Sequence, residues 1–255
     1  MRIRILGCSG GIGAGSRTSA MLIDNDVLLD AGTGIGDLEL DDIRPIRHVF
    51  LTHAHLDHIA GLPMLVDCVF DENFDQPVTV YGRRETIEAV QAHVFNDVIW
   101  PDFSKLPSAK NPMLRYSICD PGDTVTINHR DFHAVEVMHS VPSLGYTVQN
   151  SGGVFAVSGD TKTNETLWPV LNACDDLKVL VIEVSFPNEH EGLATRAGHY
   201  CPNTLCRDLE QLNHEPDIWL TGMKPGEEER IFGQVIATVP ERNIRMLSRG
   251  TIITV

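Results

Sequence analysis

One segment of the chain, residues 48–62, constrains the fold more than any other. An apolar, strand-like run leads directly into a cluster made of His53, His55, Asp57 and His58. His53 and His55 are two residues apart, so their side chains project to the same side of an extended backbone. Asp57 and His58 follow where the chain turns into an apolar helix, and they can approach the same point from another direction. The segment therefore predicts a strand, a turn and a helix around a site for one or two adjacent metal ions.

The donor types in this cluster favour a divalent metal. Neutral imidazole and carboxylate suit zinc above all, with manganese or iron as alternatives. None of the six cysteines forms a C-x-x-C pair, which argues against a closed structural zinc site and predicts free thiols. The alternative interpretation is that Asp57 caps the helix and that the histidines are ordinary polar surface. Three histidines around one aspartate need a further reason, so we favour the metal site.

Two more candidate ligands lie at the ends of predicted strands. His139 follows the alternating run 132–138, and Asp160 follows the apolar run 154–157. A histidine at a strand end is often structural, and an aspartate after a strand often forms a turn. Because the first cluster needs further ligands, we expect His139 to bind metal and Asp160 to bridge two cations.

Short strands alternate with helical stretches along the whole chain, which predicts a mixed α/β fold. The strand-like runs lie at 2–6, 20–23, 27–29, 46–51, 78–80, 114–118, 124–127, 132–138, 146–148, 154–157, 179–182, 218–220 and 244–247. The helical stretches lie at 57–70, 83–95, 164–171, 202–212 and 225–237. No linker or low-complexity tract divides the sequence, so we expect one domain over residues 1–255.

Residues 27–33 and 155–161 resemble each other, since each is an apolar strand running into Asp, Gly and Thr. The likeness hints at a fold of two similar halves. The alternative is that buried strands generally end at Gly/Asp turns.

The charge and hydropathy of the chain exclude several classes of protein. With 20 Lys+Arg against 35 Asp+Glu, the net charge is −15, which disfavours a nonspecific nucleic-acid binder. No run of 18 apolar residues occurs, so a spanning helix is not expected. The beginning of the chain alternates basic and apolar residues and lacks the apolar stretch of a secretory signal, which predicts a cytoplasmic protein.

The chain resembles the metallo-β-lactamase superfamily of metal-dependent hydrolases. The resemblance is carried by residues 7–11, 30–34, 53–58, 139 and 158–161. Within the superfamily, residues 55–62 (His-Leu-Asp-His-Ile-Ala-Gly-Leu) resemble the signature of class II cyclic-nucleotide phosphodiesterases. Further similarity to bacterial members of that group lies at 98–103, 198–202 and 223–229.

This resemblance implies a four-layer αββα sandwich with metals at one edge, where loops of both sheets meet. It also implies roles for the candidate ligands. These are His53, His55 and His139 on the first metal, Asp57 and His58 on the second, and Asp160 between them. A homodimer is a further implication.

The sequence departs from the family pattern at one position. The family places its last ligand to the second metal, a histidine, just before the Met-Lys-Pro stretch, and here that place is taken by Gly222. Glycine offers no donor atom, so we expect weaker binding of the second ion. His214 or His199 could compensate, although neither has the family position. The gap can also reflect an engineered change or a drift toward a one-metal or inactive protein.

Two other features bear on substrate binding. His199 resembles a histidine that related nucleases carry near the scissile phosphate, where it could donate a proton or a hydrogen bond. A histidine packed structurally in its loop is the alternative. The glycines at 7–15 lack the ending of a P-loop, so no nucleotide cofactor is expected. We expect them to let the loop approach the metal cleft, where backbone N–H groups could meet an anionic substrate.

Together these features predict hydrolysis of a 3′,5′-cyclic nucleotide to the nucleoside 5′-monophosphate by attack of a metal-bound hydroxide, with Asp57 orienting it. The partner is then a small anionic phosphodiester, without a stable nucleic-acid complex or a membrane. The rivals are an endonuclease that trims transfer-RNA 3′ ends, a hydrolase of another ester or thioester, and a non-catalytic metal or nucleotide binder.

Overall fold

The computed structural model describes residues 1–70 and 76–255. The strands of this part are β1 (Arg2–Gly7), β2 (Ala20–Ile23), β3 (Val27–Leu29), β4 (His48–Phe50), β5 (Val78–Gly82), β6 (Pro107–Ser108), β7 (Asn111–Pro112), β8 (Leu114–Ile118), β9 (Thr124–Ile127), β10 (Arg130–Val137), β11 (Ser143–Asn150), β12 (Gly153–Val157), β13 (Leu177–Glu183), β14 (Asp217–Thr221), β15 (Ile244–Met246) and β16 (Ile252–Thr254). The α-helices are α1 (Leu40–Ile43), α2 (Leu56–Ile59), α3 (Leu62–Cys68), α4 (Arg84–His93), α5 (Leu167–Asn172), α6 (Glu191–Ala197), α7 (Pro202–Leu209) and α8 (Glu228–Thr238).

Two seven-stranded sheets form the centre of the structure, and their strands pair in the same way. The first sheet runs in the order β16-β1-β2-β3-β4-β5-β8, and the second runs β15-β14-β13-β12-β11-β10-β9. Read from β16 and from β9, three antiparallel pairings are followed in each sheet by three parallel ones. This common pattern agrees with the two similar halves that the sequence suggested.

Three apolar clusters separate the layers. One lies between the first sheet and helices α2 to α4, the second lies between the two sheets, and the third lies between the second sheet and helices α5, α7 and α8. Alternation along the strands divides the side chains among them: Val179 and Val181 of β13 face the other sheet, whereas Leu180 and Ile182 face the helices. The fold is therefore the predicted four-layer αββα arrangement.

The prediction of one continuous helix over residues 57–70 is wrong. It is two short helices, α2 and α3, separated at Ala60 and Gly61. Pro63 stands in the first turn of α3, where its missing N–H costs nothing, but it could not continue a helix from the preceding turn. The break places Asp57 and His58 on a helix of their own.

Boundaries elsewhere differ for local reasons. The predicted helix at 164–171 begins three residues late, because Asn164 Oδ1 accepts a hydrogen bond from the Leu167 N–H in the manner of a cap. The helix predicted from 225 begins at Glu228, because Gly226 has a φ of 89°. Strands β6, β7 and β16 and helices α1 and α6 were not predicted from the sequence.

The carboxyl ends of five parallel strands meet at one edge of the sandwich. Asp30 follows β3, Thr52 and His53 follow β4, and Asp160 follows β12. Glu183 ends β13 and Gly222 follows β14. Side chains at such an edge converge because neighbouring parallel strands end together. No helix among residues 1–70 and 76–255 has the length and apolar content that crossing a membrane requires.

Phe50 offers a test of the packing between the sheets. It is fully buried, and its ring stacks on Tyr81 and on Phe132 with centroid distances of 4.4 Å each. We expect Phe50→Ala to lower the free energy of unfolding by about 3–5 kcal/mol, measured by urea denaturation. The exposed Val98 is the control, and Val98→Ala should change it by no more than about 0.5 kcal/mol. Equal effects of the two substitutions would contradict this packing.

Candidate metal centre

Three histidine rings from different parts of the chain point ring nitrogens at one another. His53 Nε2 lies 3.0 Å from His55 Nδ1, and His139 Nε2 lies 3.2 Å from the same atom. His53 follows β4, His55 immediately precedes α2, and His139 follows β10. One nitrogen from each ring lies within 4.8 Å of the other two, so this group, here called the three-imidazole group, could hold a metal ion.

Hydrogen bonds on the far side of the rings fix which nitrogens carry protons. His139 Nδ1 donates to the carbonyl oxygen of Gly198 at 2.8 Å, because a carbonyl can only accept. The Thr52 hydroxyl donates to Asp30, so its oxygen accepts from His53 Nδ1 at 3.0 Å. The inward Nε2 atoms of His53 and His139 therefore present lone pairs, which is the arrangement of metal-binding histidines.

The protonation state of the group agrees with this assignment. Burial lowers the pKa of His53 well below its usual value and also lowers the pKa of His55. Burial lowers the pKa of His139 to about 4. With neutral rings, His55 Nδ1 can donate a proton to at most one of its two neighbours, so lone pairs face each other. A bound cation relieves that repulsion, and the residues present fit a divalent metal.

Asp30 holds the turn that presents these histidines. Its carboxylate accepts hydrogen bonds from the Thr52 N–H at 2.9 Å, from His58 Nδ1 at 2.6 Å and from the Ser19 hydroxyl at 3.1 Å. The residue is 3% exposed and has a φ of 57°, a left-handed conformation that aspartate tolerates better than most residues. It thereby orients both His58 and, through Thr52, His53.

A second group of possible ligands adjoins the first on an acidic side. His58 Nε2 lies 3.4 Å from Asp160 Oδ2 and 3.8 Å from Asp57 Oδ2. Burial by itself would lower the pKa of His58, but the carboxylates of Asp30 and Asp160 outweigh it and raise that pKa well above its usual value. Burial would likewise raise the pKa of Asp160, and the neighbouring His58 lowers it well below the usual range. His53, His58 and Asp160 form a second set that could hold an ion.

His199 stands on the other side of Asp160, against a buried glutamate. Its Nδ1 lies 3.0 Å from Glu183 Oε1 and 3.9 Å from Asp160 Oδ2. Burial by itself would lower the pKa of His199, but the Glu183 carboxylate outweighs it and raises that pKa. Burial also raises the pKa of Glu183, which additionally accepts from the Thr161 and Tyr200 N–H groups. With Nδ1 engaged by Glu183, Nε2 is the nitrogen left to act on a ligand.

Gly222 borders the same cleft and leaves it open. Its φ is 75°, and a Cβ there would meet Glu183 Cβ at 3.4 Å and Ser185 Oγ at 3.6 Å, which are ordinary contacts. A side chain at this position would thus have room, but glycine supplies no donor. His214 lies elsewhere, with Nε2 at 3.2 Å from the Asn172 carbonyl oxygen. It is therefore not a substitute ligand.

At Ser9 and Gly10, the N–H groups of the glycine-rich loop cannot meet an anionic substrate as expected, because both are already paired. The N–H of Ser9 donates to the Arg17 carbonyl at 2.9 Å, and the N–H of Gly10 donates to the Met223 carbonyl at 2.9 Å. These donors are not free for a substrate. The expected close approach is correct, because a Cβ on Gly10 would lie 2.1 Å from the Gly222 carbonyl oxygen.

A family model described as a β-lactamase superfamily domain matches residues 25–220. The chain belongs to this superfamily. This match confirms the predicted superfamily, and the similar solved structures confirm the fold class. The prediction that the chain is an enzyme is also confirmed, because its relatives and structural neighbours are phosphodiesterases and nucleases.

Curated relatives carry two kinds of name. A 3′,5′-cyclic-nucleotide phosphodiesterase of Aliivibrio fischeri is 29% identical over 250 residues, covering 81% of this chain and 74% of that protein. A probable enzyme of the same name from Yersinia pestis is 28% identical, covering 66% of this chain and about half (51%) of the relative. A ribonuclease Z of Clostridium beijerinckii is 29% identical over 154 residues, covering 56% of this chain and 47% of that protein.

Solved structures agree on the fold of this superfamily member. Unliganded yeast PDE1 superposes with a TM-score of 0.83 at 21% identity, covering 100% of this chain and 99% of that one. The human short-form tRNase Z superposes with a TM-score of 0.71 at 17% identity, again covering 100% of this chain and 99% of that one.

Several residues at the centre were given no role from the sequence. Asp30 lies in the Asp-Ala-Gly-Thr run that carried part of the resemblance, and a carboxylate directly after the apolar run 27–29 was the signal that could have found it. Glu183 directly follows the buried apolar run 179–182 of β13, which is an unusual place for a charge. Among the predicted ligands, Asp57 alone falls outside the converging sets, although it lines the cleft beside them.

The orienting role of Asp30 can be tested by measuring zinc affinity. We expect Asp30→Asn to weaken zinc binding by about 10- to 100-fold, measured by competition with a chromophoric chelator, because the amide holds Thr52 and His58 less well. Asp97 is the matched control, since it too has a positive φ, of 62°, and lies apart from the centre. Unchanged zinc affinity in Asp30→Asn, or an equal loss in Asp97→Asn, would contradict the role.

Proposed function

We propose that this chain is a metal-dependent phosphodiesterase that hydrolyses a 3′,5′-cyclic nucleotide to the nucleoside 5′-monophosphate. The observation that supports it most is the convergence of His53, His55 and His139 beside His58 and Asp160, two residues that line a cleft. Two relatives named as cyclic-nucleotide phosphodiesterases point to the same substrate class.

The donor sets suggest which residues hold the metals. In this proposal the three-imidazole group holds one ion, Asp57 and His58 hold a second, and Asp160 lies between them. Nitrogen and carboxylate donors without a thiolate favour zinc, with manganese or iron as alternatives. Bound divalent ions lower the pKa of water and neutralise phosphoryl oxygens, which is the chemistry that phosphodiester hydrolysis needs.

Two side chains of the cleft are then placed to handle protons. The Asp57 carboxylate is 38% exposed, so it can accept a hydrogen bond from the attacking water and receive its proton. His199, whose pKa the Glu183 carboxylate raises against the effect of burial, can donate from Nε2 to a phosphoryl oxygen or to the departing 3′ oxygen. No serine or cysteine nucleophile is needed in this scheme.

Transfer-RNA 3′ processing is the second candidate, since relatives named ribonuclease Z match about half of this chain. The net charge of −15 counts against a stable RNA complex. Hydrolysis of another ester and non-catalytic binding remain the wider alternatives, the latter because of Gly222. The single domain over residues 1–255, the homodimer and the cytoplasmic location stay predictions.

One assay separates these functions. The purified protein, loaded with zinc or manganese, is incubated with cyclic AMP, bis-p-nitrophenyl phosphate and a transfer-RNA precursor. We expect turnover of the first two and none of the third. Cleavage of the precursor alone would favour the nuclease, and tight nucleotide binding without turnover of any substrate would favour the binder.

The role of Asp57 predicts a large kinetic effect. We expect Asp57→Ala to lower kcat by about 10²–10⁴-fold, because the attacking water loses its proton acceptor. Metal content is measured in parallel, and Asp67→Ala, at an exposed aspartate on α3, is the control that should keep full activity. Full turnover of Asp57→Ala with metal still bound would rule the role out.

Gly222 predicts unequal occupancy of the two metal positions. After desalting, the natural chain should retain about one zinc ion, and Gly222→His should retain about two, because histidine adds a donor where the Cβ has room. Gly222→Ala is the matched control. It places a side chain on the same left-handed backbone, but this side chain has no donor atom. Metal analysis decides: two ions in the natural chain, or equal content in the His and Ala variants, would refute this expectation.

A further inference from the structure

The cleft beside the metal centre is lined partly by residues that are not among the proposed metal ligands. A cleft is lined by Asp57, His58 and Asp160, and also by Ser9, Gly10, Gly222 and Lys224. The first three residues are acidic or metal-binding in the proposal above. A phosphodiester is itself an anion, so binding it here requires positive charge from elsewhere in the cleft.

Lys224 supplies a cation whose donors are only partly used. Its Nζ donates to the Gly10 carbonyl oxygen at 2.8 Å and lies 5.6 Å from the centre of the Phe186 ring. In residues 1–70 and 76–255 no carboxylate forms an ion pair with it, in contrast to Lys105 and Lys178, which pair with aspartates. An ammonium group has three N–H donors, so two remain for a ligand.

The anchor of Lys224 also sets its position. The carbonyl of Gly10 and the ring of Phe186 hold the ammonium at the edge of the cleft. Phe186 packs against His199 with a centroid distance of 5.7 Å, and Lys224 and His199 both line the cleft. The lysine and His199 therefore face the same part of the cleft.

Ser9, which lines the same cleft as Lys224, adds an unused donor. Its hydroxyl oxygen is buried and has no hydrogen-bond partner among the described residues, although it lines the cleft. A buried polar atom without a partner is costly unless a ligand satisfies it. Among the loop residues that line the cleft, the Cys8, Ser9 and Gly10 N–H groups are committed to Arg17 and Met223, so side chains are the available donors there.

We propose that Lys224, with the Ser9 hydroxyl of the same cleft, binds a non-bridging phosphoryl oxygen of the substrate and selects anionic esters. Gly222 lines the same cleft and adds no side chain to it. The proposal rests on the proposed phosphodiesterase function, but its binding step can be measured without turnover.

The test compares Lys224→Met, Lys224→Arg and Lys178→Met in the metal-loaded protein. Lys178, whose side chain is 52% exposed and pairs with Asp176, is the control for the loss of one positive charge. KM and kcat are measured with bis-p-nitrophenyl phosphate, and the affinity for inorganic phosphate is measured by calorimetry. Metal content and thermal stability are recorded for every variant.

We expect Lys224→Met to raise KM and the phosphate Kd by about 10- to 100-fold, with kcat changed much less, because a charge-assisted hydrogen bond is lost. Lys224→Arg should recover most of the affinity, and Lys178→Met should leave it unchanged. Ser9→Ala, which leaves the lysine anchor intact, should raise KM by about threefold.

Three results would overturn the proposal. These are unchanged KM and phosphate Kd in Lys224→Met, an equal loss in Lys178→Met, and a loss in Lys224→Arg as large as in Lys224→Met, which would indicate a structural anchor alone. If Lys224→Met does not fold, the test rests on Lys224→Arg and Ser9→Ala. Unchanged KM and phosphate Kd in both variants would then show that Ser9 has no role, and would overturn the two-donor subsite. If the natural protein hydrolyses no phosphodiester but binds phosphate through Lys224, the proposed function fails and the subsite stands.

Discussion

The buried carboxylate of Asp30 is the contact on which the arrangement of the histidines depends. It accepts a hydrogen bond from the Thr52 hydroxyl, so the Thr52 oxygen is left to accept a hydrogen bond from His53 Nδ1. It also accepts a hydrogen bond from His58 Nδ1 at 2.6 Å. One charge thus decides which nitrogen of each ring faces the cleft. A buried carboxylate needs such hydrogen-bond donors. The same hydrogen bonds therefore stabilise the turn and orient the candidate ligands.

The common pairing pattern of the two sheets explains why the centre lies where it does. Asp30 follows β3 in the first sheet, and Asp160 follows β12 at the corresponding place in the second. His58 lies between them, with Nδ1 at 2.6 Å from Asp30 and Nε2 at 3.4 Å from Asp160. The two aspartates that contact this histidine therefore come from matching positions of the two halves. One orients the ring and the other shares the cleft with it.

The sequence was informative wherever a signal is local. Short apolar runs predicted most strands, and the spacing of His53, His55, Asp57 and His58 predicted that they cluster. It was uninformative where a role depends on pairing across the fold, as for Glu183 with His199 or Lys224 with Gly10, which is 214 residues away. The glycine-rich loop shows the same limit. Its glycines correctly predicted a close approach, but the partners of its N–H groups, Arg17 and Met223, are fixed by tertiary structure.

Crystals of the zinc-loaded protein, with diffraction recorded on both sides of the zinc absorption edge, test the central claim most directly. The account predicts a strong anomalous peak enclosed by the ring nitrogens of His53, His55 and His139, and a weaker peak or none beside Asp57 and Gly222. An anomalous map with no peak at the three-imidazole group, in a protein that retains zinc, would contradict it.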